Sequence, residues 1–431
     1  MRPANAPDAN PAAGRALPID RLRAFLTCLV VTHHAVLAYH PYAPQPPTAL
    51  APGEMAWGAF PIVDAARAPG VDLLVAFNDS FFMALMFLLA GLFVPSGMAR
   101  RGGRAYLRER LVRLGLPFLV GAGLLAPLAY AATYVQVTAA PTLGGFAAQW
   151  LALGAWPAGP AWFLWVLLAF AGIAALLHRL APTWPAALAR VLLGDGSRPW
   201  RAYAGFAAAG LCAYLPTAAL VDPLHWDAFG PFFVQTARVP LYLLYFLSGA
   251  AVAAQGLDRG LLDPAGKLAR RWLLWANLAP VVFVALIAVF LILLAVLRQR
   301  GDVSALAVAC NALFVLSSAT TSFALLAHFV RCQRAPSRCW DSLGANAYGI
   351  YLVHYPIVIW LQFALLSVTW PGPAKAAIAT LLGLAVSWIV TAGLRRIAAV
   401  ERVIGRASAV MARTPTADPR SIAAAASAAG G

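Results

Sequence analysis

The chain has 431 residues, of which 61% are hydrophobic and only 11% are charged. Since a soluble globular domain carries about 25% charged residues, this composition excludes a soluble domain, and its hydrophobicity excludes a disordered chain. A surface with this much apolar area is stable when it is embedded in a lipid bilayer. The composition therefore predicts an all-α polytopic membrane protein.

Apolar stretches recur along the chain at lengths that suit membrane helices. The ten predicted helices are Leu22–His40, Leu73–Val94, Leu114–Val135, Pro160–Leu177, Tyr203–Leu220, Arg238–Ala254, Trp272–Leu297, Ala305–Val330, Leu343–Leu366 and Ala374–Leu394. Residues 1–18 are rich in Pro and Ala and predict a disordered N-terminal segment. We expect residues 19–397 to form one transmembrane domain and residues 398–431 to form a largely disordered cytoplasmic tail.

The basic residues are distributed unevenly between the two sides of this bundle. Of the 32 Lys and Arg residues, 27 lie in the N-terminal segment, the C-terminal segment and the loops after the second, fourth, sixth and eighth helices. Basic residues concentrate on the cytoplasmic side of membrane proteins. The distribution predicts that both termini and the loop Ala99–Arg113 are cytoplasmic. The excess charge also favours anionic membrane lipid as a partner, whereas nucleic acid is not expected.

The first helix carries an arginine and a histidine on one face. Arg23 and His34 are eleven residues apart, which corresponds to three turns plus about 20° and to about 16 Å along the axis. In the predicted topology Arg23 lies near the cytosol and His34 lies deep, whereas His33 faces elsewhere. This arrangement suits an anionic cytosolic substrate that meets a base at its reactive end. The structural alternative is a snorkelling Arg23 and a His34 that is bonded to a neighbouring helix.

Three more polar residues inside predicted helices are candidate supporting residues. His354 lies about as deep as His34, and Tyr351 precedes it by one turn on the same face. Asp79 lies at a similar depth, where a carboxylate is able to orient an imidazole. The alternatives are a structural histidine at 354 and a polar patch at the helix entry around Asp79.

The sequence contains no pattern that indicates a metal or nucleotide site. The five cysteines form no C-x-x-C pair, and neither a P-loop nor an H-E-x-x-H pattern occurs. We therefore expect no metal site and no permanently bound cofactor.

Several of these residues occur in an order that is found in a known family. Arg23, ten further residues and His34 form an R-x10-H pattern. The segments that follow in order are Ser80–Gly91, Tyr106–Pro117, Gly159–Trp165 and Tyr348–Pro356. Over residues 18–397 the chain resembles the acyltransferase 3 family of membrane-bound acyltransferases, which includes the glucans biosynthesis protein C group. Two positions depart from the family pattern, because Ala90 replaces the usual Ser and Ala161 replaces a frequent His.

The resemblance implies transfer of an acyl group from cytosolic acyl-CoA to a hydroxyl of an extracytoplasmic carbohydrate, such as a glucan, polysaccharide or glycolipid. It implies a location in the inner membrane of a bacterium. His34 would act as the general base, or alternatively would form an acyl-histidine intermediate. Arg23, Arg110 and Arg113 would bind the phosphates of acyl-CoA. The competing hypothesis is a secondary transporter or exporter of a glycan or lipid, although no internal repeat is evident.

Overall fold

The structure is a computed structural model that describes residues 17–46, 50–51, 53, 58–333, 335 and 337–405. Within this part of the chain, ten helical units are long and apolar enough to cross a membrane. Each coincides with one of the ten predicted helices, and most ends differ by only a few residues. The prediction of an all-α polytopic membrane protein is confirmed.

The helices follow one another with short connections in most places. The N-terminal half contains α1 (Leu17–Val36, extended by a 3-10 turn to Tyr39), α2 (Val71–Gly91), α3 (Val94–Arg110), α4 (Leu116–Val120), α5 (Ala126–Val137), α6 (Leu143–Leu151), α7 (Trp162–Leu180), α8 (Trp184–Leu192) and α9 (Pro199–Leu220). The C-terminal half contains α10 (Val239–Gln255), α11 (Lys267–Arg270), α12 (Trp272–Arg298), α13 (Ser304–Cys332), α14 (Arg338–Leu365), α15 (Gly372–Leu394) and α16 (Ala398–Ile404). Between α9 and α10, strands β1 (Asp227–Phe229) and β2 (Phe232–Val234) pair as an antiparallel hairpin.

The short elements were not predicted, because four to nine residues are too few to give a membrane-helix pattern. They are α6, α8, α11, α16 and the hairpin. Helix α16 forms the start of the predicted C-terminal tail, and residues 406–431 lie outside the described residues. Of the predicted N-terminal segment, residues 17–18 already belong to α1, and residues 1–16 also lie outside the described residues.

The prediction of a loop at Ala99–Arg113 was wrong, because this segment is helical. It belongs mainly to α3, which is kinked at Gly102, where φ is 75°. Met98 before the kink and Tyr106 after it are both buried, so each half of α3 packs an apolar side chain while many of its other residues are polar or charged. The many arginines of this helix lower the mean hydropathy of the segment, so hydropathy alone does not predict that part of it is buried.

Two π-helical segments, Leu111–Gly115 and Gly121–Leu125, connect α3 to α4 and α4 to α5. The third spanning unit therefore runs without a break from Val94 to Val137. A π-helical turn widens the helix locally, and such turns are frequent at functional sites.

Helices α1 and α14 pack against each other in the interior of the bundle and run in the same direction. Near their N-termini, Arg21 donates a hydrogen bond to the carbonyl of Ala335 and lies 3.8 Å from the carboxylate of Asp341. Toward their other ends, His34 faces His354. In contrast, α12 packs chiefly on α13 and leaves most of its apolar side chains exposed, as a lipid-facing helix does.

Candidate active site

A pair of histidines from α1 and α14 forms the centre of the site. His34 Nδ1 lies 3.2 Å from His354 Nε2, and the two ring centroids are 5.1 Å apart. His354 is completely buried, whereas His34 is only partly buried. The structure thus brings together two histidines that are 320 positions apart in the chain.

Backbone carbonyls define which ring nitrogens carry the protons. His34 Nδ1 lies 2.8 Å from the carbonyl oxygen of Val30, and His354 Nδ1 lies 2.7 Å from that of Tyr351. Since a carbonyl only accepts, each Nδ1 must donate. The lone pair of His354 Nε2 then faces the proton on His34 Nδ1. In the neutral pair, His34 Nε2 carries a lone pair, and it has no hydrogen-bond partner among the described residues.

Two side chains from α14 hold His34 in place, and the sequence reasoning missed both. The ring of Tyr355 packs edge-on against His34 at 5.3 Å between centroids. Gln362 is buried and donates to the carbonyls of His34 and Ala35 at 2.7 and 2.9 Å. For Gln362 the signal in the sequence was the spacing, because positions 354, 358 and 362 follow one another at four-residue intervals on one side of a helix.

Tyr351 supports the pair in two ways. Its carbonyl accepts from His354 Nδ1, while its hydroxyl donates to the carbonyl of Pro160 in the turn before α7. Tyr351 and His354 therefore lie close together, as predicted, and the hydrogen bond between them involves the backbone carbonyl of Tyr351.

Arg23 lies at the opposite end of α1 from the histidine pair. Its guanidinium is 3.7 Å from the carboxylate of Asp20 and lies over the ring of Phe93, 5.6 Å from the centroid. The side chain remains 42% exposed. Arg23 is therefore positioned to meet a molecule that approaches this end of the bundle, and it does not touch His34.

Arg110 and Arg113 also face this end. The guanidinium of Arg110 lies over the ring of Tyr106 at 4.9 Å, and its buried Nε has no hydrogen-bond partner among the residues that the structure describes. Arg113 is 40% exposed and lies 3.5 Å from Glu109. Because Tyr348 of α14 donates to the carbonyl of Arg113, this segment is attached to the helix that carries His354.

Asp79 pairs with an arginine, whereas its depth in the predicted helix suggested an imidazole as the partner. Both of its carboxylate oxygens accept from Arg238, at 2.9 and 2.8 Å. Arg238 is buried and also lies over the ring of Phe314. The bidentate pair orients the carboxylate of Asp79 toward Arg238. Among the described residues, Asp79 therefore forms its hydrogen bonds with Arg238 and not with His34 or His354.

His33 lies outside the hydrogen-bonded pair, although its ring lies edge-on to that of His34 at 5.4 Å between centroids. Its ring stacks on Phe82 at 5.3 Å between centroids, and its buried Nδ1 has no hydrogen-bond partner in the described residues. No group of three or more His, Cys, Asp or Glu side chains able to hold a metal occurs in the described part of the chain.

The arrangement offers a neutral imidazole with a free basic nitrogen inside the bundle and exposed guanidinium groups at one end. The sequence model of the acyltransferase 3 family, described as an acyltransferase domain, matches residues 18–392. Searches of curated proteins and of solved structures gave no significant match. The family match favours the enzyme over the transporter, and it does not extend to the glucans biosynthesis protein C group. The chain belongs to the acyltransferase 3 family and is an O-acyltransferase that spans the membrane several times.

Proposed function

We propose that this enzyme transfers an acyl group from cytosolic acyl-CoA to a hydroxyl of an extracytoplasmic carbohydrate in the inner membrane of a bacterium. The carbohydrate would be a glucan, a polysaccharide or a glycolipid. The observation that carries the proposal is the hydrogen bonding of His34, because its Nδ1 donates to the Val30 carbonyl and leaves Nε2 as a base. The carbohydrate acceptor rests on the family resemblance alone.

The arginines at one end of the bundle support acyl-CoA as the donor. CoA carries several phosphate charges, and guanidinium groups bind phosphate through two parallel hydrogen bonds. Arg23 lies about 16 Å along α1 from His34, a distance that the long pantetheine arm of CoA is able to span. The phosphates would remain at Arg23, Arg110 and Arg113 while the thioester reaches His34.

The proposed reaction is a direct transfer. His34 Nε2 takes the proton of the acceptor hydroxyl as its oxygen attacks the thioester carbonyl. The new C–O ester bond forms, the C–S bond breaks, and the sulfur of CoA takes the proton back from His34. His354 would stabilise the transient imidazolium, because its Nε2 lone pair faces the proton on His34 Nδ1. His354 is thus a positioning residue and His34 is the catalytic residue.

The proposal is tested with the purified full-length protein, labelled acyl-CoA and an extracted carbohydrate fraction. Removal of a general base costs about 10²–10⁴-fold in rate, so His34→Ala should lose that much acyl transfer. His33→Ala is the matched control, because it removes the neighbouring imidazole, which stacks on Phe82. Full activity in His34→Ala, or equal losses in both variants, would exclude His34 as the base.

The same preparation distinguishes direct transfer from an acyl-histidine intermediate. Rapid denaturation at neutral pH after mixing with labelled acyl-CoA alone should leave no label attached to His34 of the protein. An acyl group on His34 would replace the general-base mechanism by a two-step transfer.

A further inference from the structure

The ion pair between Asp79 and Arg238 is open on its acidic side. The side chain of Arg238 is only 3% exposed, whereas that of Asp79 is 41% exposed. Asp79 nevertheless lies inside α2 and is densely surrounded by protein atoms. Because an ionised carboxylate in contact with hydrocarbon is costly, the accessible part of Asp79 faces an opening that water is able to enter.

This opening lies next to the proposed reaction centre. Phe82 follows Asp79 by one turn of α2, and its ring stacks on that of His33 at 5.3 Å between centroids. The ring of His33 is in turn 5.4 Å from that of His34. Asp79 is also close enough to His33 for the two groups to interact electrostatically. A molecule that contacts the carboxylate of Asp79 therefore lies in the neighbourhood of His34.

Aromatic side chains border the same ion pair. Tyr242 lies one turn after Arg238 on α10, and its ring is 6.1 Å from that of Trp162 at the start of α7. Trp162 also meets Trp226, which directly precedes β1, edge-on at 5.3 Å between centroids. Trp226 remains 40% exposed. The two indole rings thus extend from the ion pair toward the hairpin.

The tryptophans are connected to the histidine pair as well. Phe163 follows Trp162 in α7, and its ring is 5.9 Å from that of Tyr351. The ring of Tyr351 is 6.0 Å from that of His354. The carboxylate on α2 and the indole rings beside α7 therefore approach the two histidines from different helices.

A carboxylate with free lone pairs and an exposed aromatic ring suit a neutral sugar. Each oxygen of Asp79 accepts one hydrogen bond from Arg238, and each retains a second lone pair that is able to accept from a sugar hydroxyl. The C–H face of a sugar ring is apolar and packs well on the electron-rich face of an indole. Since the exposed member of the ion pair is negative, it would repel a phosphate or a carboxylate on the ligand.

We propose that Asp79, Trp162 and Trp226 bind a neutral sugar unit of the acceptor and thereby hold the carbohydrate beside His34. The proposal rests on the carbohydrate acceptor of the proposed function. Arg238 orients the carboxylate in this site, which gives the ion pair a purpose beyond stability. Acidic glycans should then be poor acceptors.

The first test compares neutral with acidic glycans. The extracted carbohydrate fraction is separated by anion exchange, and each part is incubated with labelled acyl-CoA and the full-length protein in nanodiscs. The label should enter the neutral glycans. Equal labelling of both parts, or a preference for the acidic part, would overturn the assignment of a neutral sugar.

The second test measures KM of site variants for the neutral glycans. Asp79→Asn with Arg238→Met removes both charges and should raise this KM about tenfold, because hydrogen bonds to a charged group are roughly twice as strong as those to a neutral one. Trp226→Ala removes an exposed ring and should raise it about two- to tenfold. KM for acyl-CoA should stay at the wild-type value in both variants.

Each variant has a matched control. Asp64→Asn with Lys375→Met removes another buried ion pair, in which Nζ and Oδ2 are 2.7 Å apart, by the same kind of substitution. Trp370→Ala removes a tryptophan that is 50% exposed and lies between α14 and α15. Both controls should keep the wild-type KM for the glycans.

The outcomes separate this proposal from the proposed function. If the wild type labels no carbohydrate, the carbohydrate acceptor is refuted and the sugar site falls with it. If the wild type labels carbohydrate but the site variants raise KM no more than their controls, the acceptor stands and the sugar site is refuted. A loss of melting temperature in the Asp79 and Arg238 double variant without a change in KM would show that the ion pair is structural only.

Discussion

The proton on His34 Nδ1 is shared between two acceptors, and this sharing gives the site its chemical character. The carbonyl of Val30 lies 2.8 Å from Nδ1 and His354 Nε2 lies 3.2 Å from it. A neighbour that accepts a hydrogen bond fixes the tautomer of an imidazole and strengthens the base on its other nitrogen. In the proposed mechanism His354 would therefore take the role that a carboxylate fills in many acid–base sites, without adding a buried negative charge.

This role leads to a prediction for His354. His354→Leu removes the acceptor that faces His34 and should lower kcat while KM for acyl-CoA changes little, since His354 does not touch the donor phosphates. His354→Gln should recover part of kcat, because the amide oxygen also accepts a hydrogen bond. Steady-state kinetics of both variants provide the measurement. Equal kcat losses in the two variants, or an effect confined to KM, would contradict a positioning role.

At the scale of single residues, the candidate side chains follow from the sequence more readily than the partners that they contact. The shared face of Arg23 and His34 follows from helical geometry alone, and the structure places the two residues at opposite ends of α1. The contact between His34 and His354 depends on how two distant helices pack, which one sequence does not specify. For the same reason the depth of Asp79 suggests support for an imidazole, whereas the turn before α10 brings Arg238 to it.

Helices α2 and α10 cross with almost no space between their backbones. A Cβ atom on Gly91 would lie 1.9 Å from the carbonyl oxygen of Phe246, and one on Gly249 would lie 2.0 Å from that of Leu88. Small residues allow such close approach of membrane helices. The glycine that ends α2 is thus required by packing, whichever residue precedes it.

Gly91→Ala should therefore destabilise the protein. Overpacking typically costs about 1–3 kcal/mol, and here the new methyl group would meet the backbone, which has little freedom to move. Gly123→Ala is the matched control, because nothing lies within 4 Å of a Cβ at that position. The melting temperature in detergent should fall for Gly91→Ala and stay near the wild-type value for Gly123→Ala. Equal melting temperatures would show that α2 and α10 are able to separate without cost.

A buried ion pair attaches the segment before α2 to the start of α15. Lys375 Nζ lies 2.7 Å from Asp64 Oδ2, and the two side chains are only 2% and 4% exposed. The backbone of the same segment bonds to the end of the first helix, since Asp64 N donates to the carbonyl of Ala38 at 2.9 Å. These contacts fix the connection that lies between α1 and α2.

Removing one partner of this pair should be worse than removing both. Lys375→Met leaves a buried carboxylate without its cation, and breaking such a pair costs about 3–5 kcal/mol. The double variant Asp64→Asn with Lys375→Met removes both charges and should recover most of the lost stability. Melting temperatures of the single and double variants provide the test. A double variant less stable than Lys375→Met would disprove this account.

At the scale of helices, long apolar stretches were predictable and short elements were not. The ten spanning units follow from hydropathy, because every membrane span must bury its backbone polar groups in a helix within an apolar stretch. Helix α3 was missed because its buried face is narrow and its other residues are charged. The hairpin β1–β2 has three residues per strand, which is too short for alternation to stand out.

The whole molecule separates its basic residues between two ends, and the contacts agree with the grouping predicted from the sequence. Arg21 contacts Ala335 and Asp341, and Arg395 contacts Ala345. Apart from Ala345, which lies at the start of the ninth predicted helix, these residues belong to segments that the charge distribution assigns to the cytoplasm. Two of the five remaining basic residues, Arg238 and Lys375, are buried in ion pairs with Asp79 and Asp64. The contacts thus bring segments of the same predicted side together. Which side of the membrane they face stays a prediction.

That orientation determines how the two substrates would reach the site, because the proposed donor is cytosolic and the proposed acceptor lies on the other side. With 27 of the 32 basic residues on one side, the positive-inside rule predicts that Gly102 and the C-terminus both face the cytoplasm. Alkaline phosphatase fusions at Gly102 and Gly431 should be inactive, and fluorescent-protein fusions at the same positions should fluoresce. A fusion between α1 and α2, at Gly70, should give the opposite pattern as a control. Phosphatase activity at Gly102 or Gly431 would reverse the bundle and place Arg23 on the side away from cytosolic acyl-CoA, and the proposed path of the donor would then be impossible.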